Sequence, residues 1–372
     1  MKFTLAVTAF VGLIGRCSDF PIDPPGHGHH PPPPAADDDA GVEDESCQPE
    51  QFGLYADRYC KRLAKGVIPF TPRYELWADG ADKQRYIYLP EGAQIDTSNP
   101  DRWSFPRGTR IYKTFSLDGL KLETRRFEKT GDGTGIEHWT YDAYAWSADQ
   151  RKLTLAQDGA ENVLGTEHDI PSRNQCKSCH DQSTRREQPS DIVNGFAAIQ
   201  LNHEGRGWTL ESLIRQDRLV NSQGTAPNVT LENAHAPGAR SEQAALGYLH
   251  SNCGNCHVGV SPPQGLNLSL VLSSSEAPAT ALAYDAVCRS LMRWTGRKNP
   301  VSGEDYVVAI APGSAAHSGI VGRMIATDVE NRMPRVGREL SDEAGIEAVS
   351  RWIDALDQED CPAPPPPPTP TP

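Results

Sequence analysis

The chain has 372 residues, with 36 Lys and Arg against 49 Asp and Glu and a formal net charge of −13 at pH 7. Nucleic acids and anionic lipid surfaces repel so acidic a protein, which argues against both as partners. Nine cysteines, 31 prolines and only four methionines carry the rest of the reading.

In chain order, Lys2 precedes a short apolar run, Phe3 to Gly15, too short to cross a bilayer and patterned like the core of a secretory signal. Residues 1–16 are therefore expected to be a signal peptide, and the protein to be exported to the periplasm, outer membrane or cell surface. Cys17 follows Ile14-Gly15-Arg16, which resembles a lipoprotein signal box except that Arg16 stands where a small residue is usual. A lipid anchor at Cys17 stays open. No other stretch is long and apolar enough for a transmembrane segment. Residues 17–46, rich in Pro, His and acid, read as an extended tether in which His27, His29 and His30 are solvated.

From 47 to 170 the pattern is that of strands. Gln84 to Leu89, Thr109 to Phe115, Leu120 to Phe127, Glu137 to Trp146 and Arg151 to Leu155 are alternating, β-branched or aromatic, with Asp and Gly turns between them. Short strands at this spacing predict an antiparallel β-sandwich with Trp103, Trp139 and Trp146 in its core. After Cys176 the period becomes helical over Asp191–Leu201, Leu210–Leu219 and Ser241–His257. A last helix begins at Ser341 as N-cap, with Ile346, Val349, Ile353 and Leu356 on its apolar face. The expected fold class is multi-domain α+β, an antiparallel β-sandwich followed by a mostly α-helical region. Its parts would be a first helical segment over 171–235, a second domain over 236–361 and a structureless Pro-rich tail over 362–372.

The chemistry lies in two pentapeptides, Cys176-Lys177-Ser178-Cys179-His180 and Cys253-Gly254-Asn255-Cys256-His257. C-x-x-C-H is the attachment signal for haem c. Two thiols three positions apart add to the vinyl groups of one haem, and the adjacent His supplies the proximal nitrogen to iron. Structural zinc and redox dithiols also use C-x-x-C, but neither explains a His directly after both pairs. Two covalent haems are therefore expected, through Cys176, Cys179, Cys253 and Cys256, with His180 and His257 as iron ligands.

A Met is the usual sixth ligand of a low-spin cytochrome. Of Met1, Met292, Met324 and Met333, the last stands among Arg and Pro in Asn331-Arg332-Met333-Pro334-Arg335, while Met324 sits in an apolar pattern typical of a core. Met333 is thus the expected ligand of the second haem. No Met lies near the first motif, which leaves His, a weaker ligand or an open position there; His168 is the expected ligand, ahead of His203, with His138, His235 and His250 as further candidates. The cysteines outside the motifs and Cys17 are Cys47, Cys60, Cys288 and Cys361. In an exported chain they suggest two disulfides, with Cys47–Cys60 and Cys288–Cys361 favoured among the three possible pairings.

Several stretches resemble a family of bacterial exported c-type cytochromes, often di-haem, in which an N-terminal β-domain precedes a cytochrome c domain. They are Tyr74-Glu75-Leu76-Trp77-Ala78-Asp79-Gly80-Ala81-Asp82-Lys83, Phe105-Pro106-Arg107-Gly108-Thr109, Gly165-Thr166-Glu167-His168-Asp169-Ile170-Pro171, Tyr248 to Cys253, Pro312-Gly313-Ser314, Arg332-Met333-Pro334 and Arg351-Trp352-Ile353. The last four also resemble the small single-haem cytochrome c fold, where the Met before Pro is the distal ligand. The resemblance implies haem binding but no particular reaction. Electron transfer between redox partner proteins of the envelope is the expected function. The alternative is a peroxidase-like enzyme whose first haem is the catalytic centre and whose second feeds it electrons.

Overall fold

Five of the expected strands form where the alternation placed them, joined by one upstream. The strands β1 (Val67–Phe70), β2 (Asp82–Tyr88), β3 (Ile95–Asp96), β4 (Arg110–Leu117), β5 (Leu120–Lys129), β6 (Trp139–Trp146) and β7 (Leu153–Leu155) precede the first helix. All but β3 build one antiparallel sheet in the order β1-β2-β4-β5-β6-β7. The computed structural model describes residues 47–49, 51–181, 191, 193–232, 234, 240–258, 268–274, 298–300, 303–305 and 308–357. All belong to one compact unit, Asp44–Pro372. The signal peptide, Cys17, the tether, Met292, His235, Cys288, Cys361 and the Pro-rich tail lie outside the described residues.

The expected sandwich is not what the strands make. Among the described residues there is one six-stranded sheet, and different material covers each face. On one face Tyr112, Tyr144, Trp146 and Val67 pack against Phe52 and Leu54, in a segment closed by the Cys47–Cys60 disulfide. That disulfide agrees with the expectation from sequence. On the other face Phe70, Ile87, Phe105, Ile111 and Trp139 meet Phe196, Leu201, Trp208, Leu210 and Leu213. The second layer is therefore built by the chain after the first motif, through α2 (Ala198–Leu201) and α3 (Leu210–Arg215). These helices are shorter than the apolar period suggested. Past α3 the chain runs into β8 (Leu219–Val220), which pairs in parallel with β3. The three tryptophans are buried as expected, at 2–4% exposure.

One buried ion pair fastens this layer. Asp191 accepts from the Phe105 backbone N–H at 2.8 Å and from Trp139 Nε1 at 2.8 Å. It also pairs with the Lys129 ammonium, and both side chains are 1% exposed. Charges so deep are tolerated only when every donor and acceptor is matched.

The remaining described helices are α1 (Arg173–His180), α4 (Arg240–Asn252), α5 (Gly319–Ile325) and α6 (Glu343–Asp354). Leu246 and Leu249 of α4, Ile320, Val321 and Met324 of α5 and Val349, Trp352 and Ile353 of α6 share one core. The apolar face read for the last helix is the buried one. Its N-cap is Asp342, whose carboxylate accepts from Gly345 N–H. Ser341, the expected cap, instead donates its hydroxyl to the Ile325 carbonyl. The whole is mixed α+β.

Candidate functional site: a cavity reached by both C-x-x-C-H motifs

The first motif lies on α1, which Ser172 and Gln175 start with reciprocal side-chain-to-backbone hydrogen bonds. At i and i+3, Cys176 and Cys179 lie on one helix face. The His180 ring meets Phe127 of β5 edge-on at 4.8 Å. The second motif is not inside the helix that leads to it: α4 ends at Asn252 and the pentapeptide follows as a separate turn. Its His257 N–H donates to Cys253 C=O at 2.9 Å. A Cβ on Gly254 would lie 2.6 Å from the His250 carbonyl and 2.9 Å from that of Leu270, so this turn closes only with glycine.

Cys176, Cys179, His180, Cys256 and His168 line one cavity of about 1440 Å³, its solvent-open part included. Backbone and side chains of Arg332 and of Pro334 to Glu339 form another wall. Cys253 and His257 are not in its lining, and Met333 is represented there by its two neighbours. Met333 itself is half-buried, whereas Met324 is 4% exposed within the helical core.

His168 is placed by a buried network that the sequence did not announce. Its Nε2 lies 2.9 Å from Glu123 Oε1, and Arg125 grips both oxygens of the same carboxylate at 2.6 and 2.9 Å. Burial alone would raise the Glu123 pKa. The Arg125 charge and the His168 and Arg125 hydrogen bonds outweigh it and hold the carboxyl below its ordinary range. An ionised Glu123 only accepts, so it fixes the proton on Nε2 and leaves Nδ1 with the ring's lone pair. Asp169, next to His168 in sequence, accepts from Asn162 N–H. Among the other imidazoles, His203 Nε2 lies 2.6 Å from the Thr71 carbonyl and His138 lies 3.5 Å from Glu137. Neither lines the cavity. His250 lines an adjoining one and accepts from Leu272 N–H through Nδ1.

A strap from the β-domain ties the second motif to the methionine loop. Asn252, next to Cys253, accepts from Trp77 N–H at 2.8 Å and donates to the Glu75 carbonyl. Trp77 Nε1 donates to Leu340 C=O at 3.1 Å, and the Asp79 carboxylate accepts from the N–H groups of Glu339 and Leu340 at 2.8–3.0 Å. Tyr74 enters against Gly247, where any Cβ would clash with the ring at 2.1 Å.

Arg338 holds the loop from inside. Its guanidinium donates to the carbonyls of Leu340 (2.9 Å), Met333 (2.6 Å), Ala326 (2.8 Å), Arg323 (3.3 Å) and Met324. The side chain is 4% exposed. Sequence reasoning missed both the strap and this arginine.

The thiols do not suit a dithiol redox pair. Burial pushes the Cys253 thiol up to about 12 and raises that of Cys176 as well, whereas reactive dithiols carry a depressed pKa. Among the described residues no three His, Cys, Asp or Glu side chains converge as metal ligands, so the zinc reading gains nothing. Comparison with protein-family models, with curated proteins and with solved structures finds no match in any of the three.

Proposed function

We propose that the protein is an exported di-haem c-type cytochrome that passes electrons between redox partner proteins of the cell envelope. The observation that carries this reading is the single large cavity reached by cysteines of both C-x-x-C-H motifs. Cys176 and Cys179 would hold one haem and Cys253 and Cys256 the other, with His180 and His257 as proximal ligands. Met333 would be the distal ligand of the second haem and His168, through Nδ1, that of the first. Haem c supplies a one-electron iron couple whose potential depends on its axial ligands. The chain's own part is to anchor, orient and charge-balance. Glu123 fixes the His168 tautomer, and Arg338 with the Tyr74–Gly80 strap keeps the Met333 backbone in place. The helices α4, α5 and α6 would make up the cytochrome c-like half that the resemblance implies.

Intact mass of the mature, exported protein tests the reading. Two covalently added haems are expected, with colour that acid-acetone fails to extract. A mass with none, and C-x-x-C thiols that alkylate freely, overturns it. The spin state separates carrier from enzyme. Two low-spin haems fit electron transfer, whereas a high-spin haem that turns over peroxide fits the peroxidase-like alternative.

A further inference from the structure

Three cations stand side by side on the sheet, with Lys113 and Arg125 lying over the Phe115 ring at 4.6 and 4.4 Å. Arg85 of β2 is in register with Lys113 of β4, and Lys113 is in register with Arg125 of β5. Directly opposed like charges destabilise a sheet, and this row places three on adjacent strands beneath protein. Lys83 adds a fourth positive charge nearby.

The carboxylates facing the row do not balance it. Glu75 pairs with Arg85 at 3.1 Å and with Lys83 at 3.9 Å. Glu123 is shared between Arg125 and His168. Among the described residues no carboxylate lies within ion-pair distance of Lys113. Its ammonium is held well below the ordinary lysine range by burial and then by Arg85, Arg125 and Lys83, with only Glu123 opposing.

A second observation is independent of charge counting. Arg85 is 7% exposed and donates through Nη2 to Glu75, yet its buried Nη1 has no hydrogen-bond partner. Leaving such a donor unmatched costs about 1–3 kcal/mol, and more for a charged group. Arg85, Lys113 and Arg125 all line the second cavity, of about 860 Å³ with its open part. That cavity shares Leu76, Arg125, Phe127, His180, Asn194 and Asn255 with the cysteine-lined one, so the two adjoin.

We propose that the Arg85–Lys113–Arg125 row is a binding site for a carboxylate or similar oxyanion, seated in the cavity beside His180. The ligand matches what the site lacks: an acceptor for Arg85 Nη1 and negative charge opposite Lys113. Such an oxyanion has two sources. One is a propionate of a haem attached at Cys176 and Cys179, a source that rests on the proposed function. The other is a free anion from solution.

Lys113→Met, made in the full exported chain, distinguishes these, with Lys113→Arg as the charge-preserving control and Arg85→Gln as a second variant. Haem content is measured on each sample. If a propionate occupies the row, removing the cation favours the oxidised haem. One midpoint potential should then fall by at least tenfold in the reduction equilibrium, about 59 mV for one electron, while Lys113→Arg leaves it in place. If a free anion occupies it, inorganic phosphate or acetate should raise the wild-type thermal midpoint saturably, beyond potassium chloride at equal ionic strength. Lys113→Met should abolish that rise and leave both potentials unmoved.

The proposal is overturned if Lys113→Met and Arg85→Gln match or exceed the wild type in stability, with no anion dependence and no shift in potential. Protein lacking haem would refute the proposed function, and the phosphate and acetate titration would still decide whether the row binds an oxyanion.

Discussion

Arg338→Met removes one side chain and exposes what keeps the methionine loop folded. The substitution keeps much of the volume but deletes a guanidinium that serves five backbone carbonyls, those of Arg323, Met324, Ala326, Met333 and Leu340. Hydrogen bonds to a charged group contribute about 1.5–3 kcal/mol each net of the water they replace, but burying the whole guanidinium carries a desolvation cost of its own. That cost is several kcal/mol for a buried ion, so five bonds do not sum. Met leaves those carbonyls without a donor at about 1–3 kcal/mol for each that water cannot reach, so two such groups cost about 2–6 kcal/mol, a large share of the roughly 5–15 kcal/mol a domain possesses. Part of the loop stays fastened, because Asp79 and Trp77 grip Glu339 and Leu340 from the strap. Three readouts are expected to move together. The urea midpoint should fall by that free energy at unchanged slope, and Met333 N–H, bonded to Arg323 C=O at 2.9 Å, should lose its protection from hydrogen exchange. In the proposed cytochrome, the weak near-infrared sulfur-to-iron band should fade, as it should also in Met333→Ala. A variant within about 1 kcal/mol of wild type, with Met333 N–H still protected, would refute the reasoning whatever the haem does.

Asp191→Ala should cost about 3–5 kcal/mol in chemical denaturation, since it leaves the Lys129 ammonium buried without its partner; a loss below about 1 kcal/mol would show that water reaches the site. Glu123 has a lowered folded pKa, so its contribution is full above its unfolded pKa and disappears as pH falls through the folded one. Wild type should therefore lose stability on acidification below about pH 4.5 more steeply than Glu123→Gln; parallel pH profiles would remove Glu123 as the cause. If the proposed haems are present, His168→Ala should turn one of them high-spin and cyanide-binding and leave the one proposed to bind Met333 unchanged, and an unaltered spectrum would remove His168 as a proposed ligand.

How far the sequence was legible depends on what each signal measures. Alternation is local, and it placed β2, β4, β5, β6 and β7 to within a few residues. It says which face is apolar but not what covers that face, so a second sheet was expected where α2, α3 and the Cys47–Cys60 segment pack instead. The last helix was read correctly along Val349, Trp352 and Ile353 because its period is uninterrupted. Its cap slipped by one because Ser341 and Asp342 are equally good caps, and only the Ile325 carbonyl decides between them. Reactive residues at fixed spacing stood out in the sequence, whereas those that position them did not. Glu123, Arg125 and Arg338 look like ordinary surface charges in a one-dimensional text. The Glu123–His168 pair spans 45 residues and the Asp79–Glu339 bond of the strap 260. The carbonyls that Arg338 meets lie only 2 to 15 residues away but are backbone groups, which no residue type marks. A row such as Arg85, Lys113 and Arg125 becomes visible only once strand register is known.

That separation bears on what the sheet is for. A docking module appended to a cytochrome shares little interior with it, and inter-domain contacts within a chain are usually modest and polar. Here β5 supplies Glu123 and Arg125 to His168 and Phe127 to His180, while the Tyr74–Gly80 strap grips both the residue before Cys253 and the loop after Met333. Ile199, from the layer on the sheet, lies in the same core as α4, α5 and α6. The sheet is therefore a structural wall of the candidate site. In the proposed cytochrome it would govern the surroundings of the first haem and reach the second through the strap. A charge change on β4 or β5 would then act on electron transfer from inside the protein, as a partner-docking surface on the exterior would not.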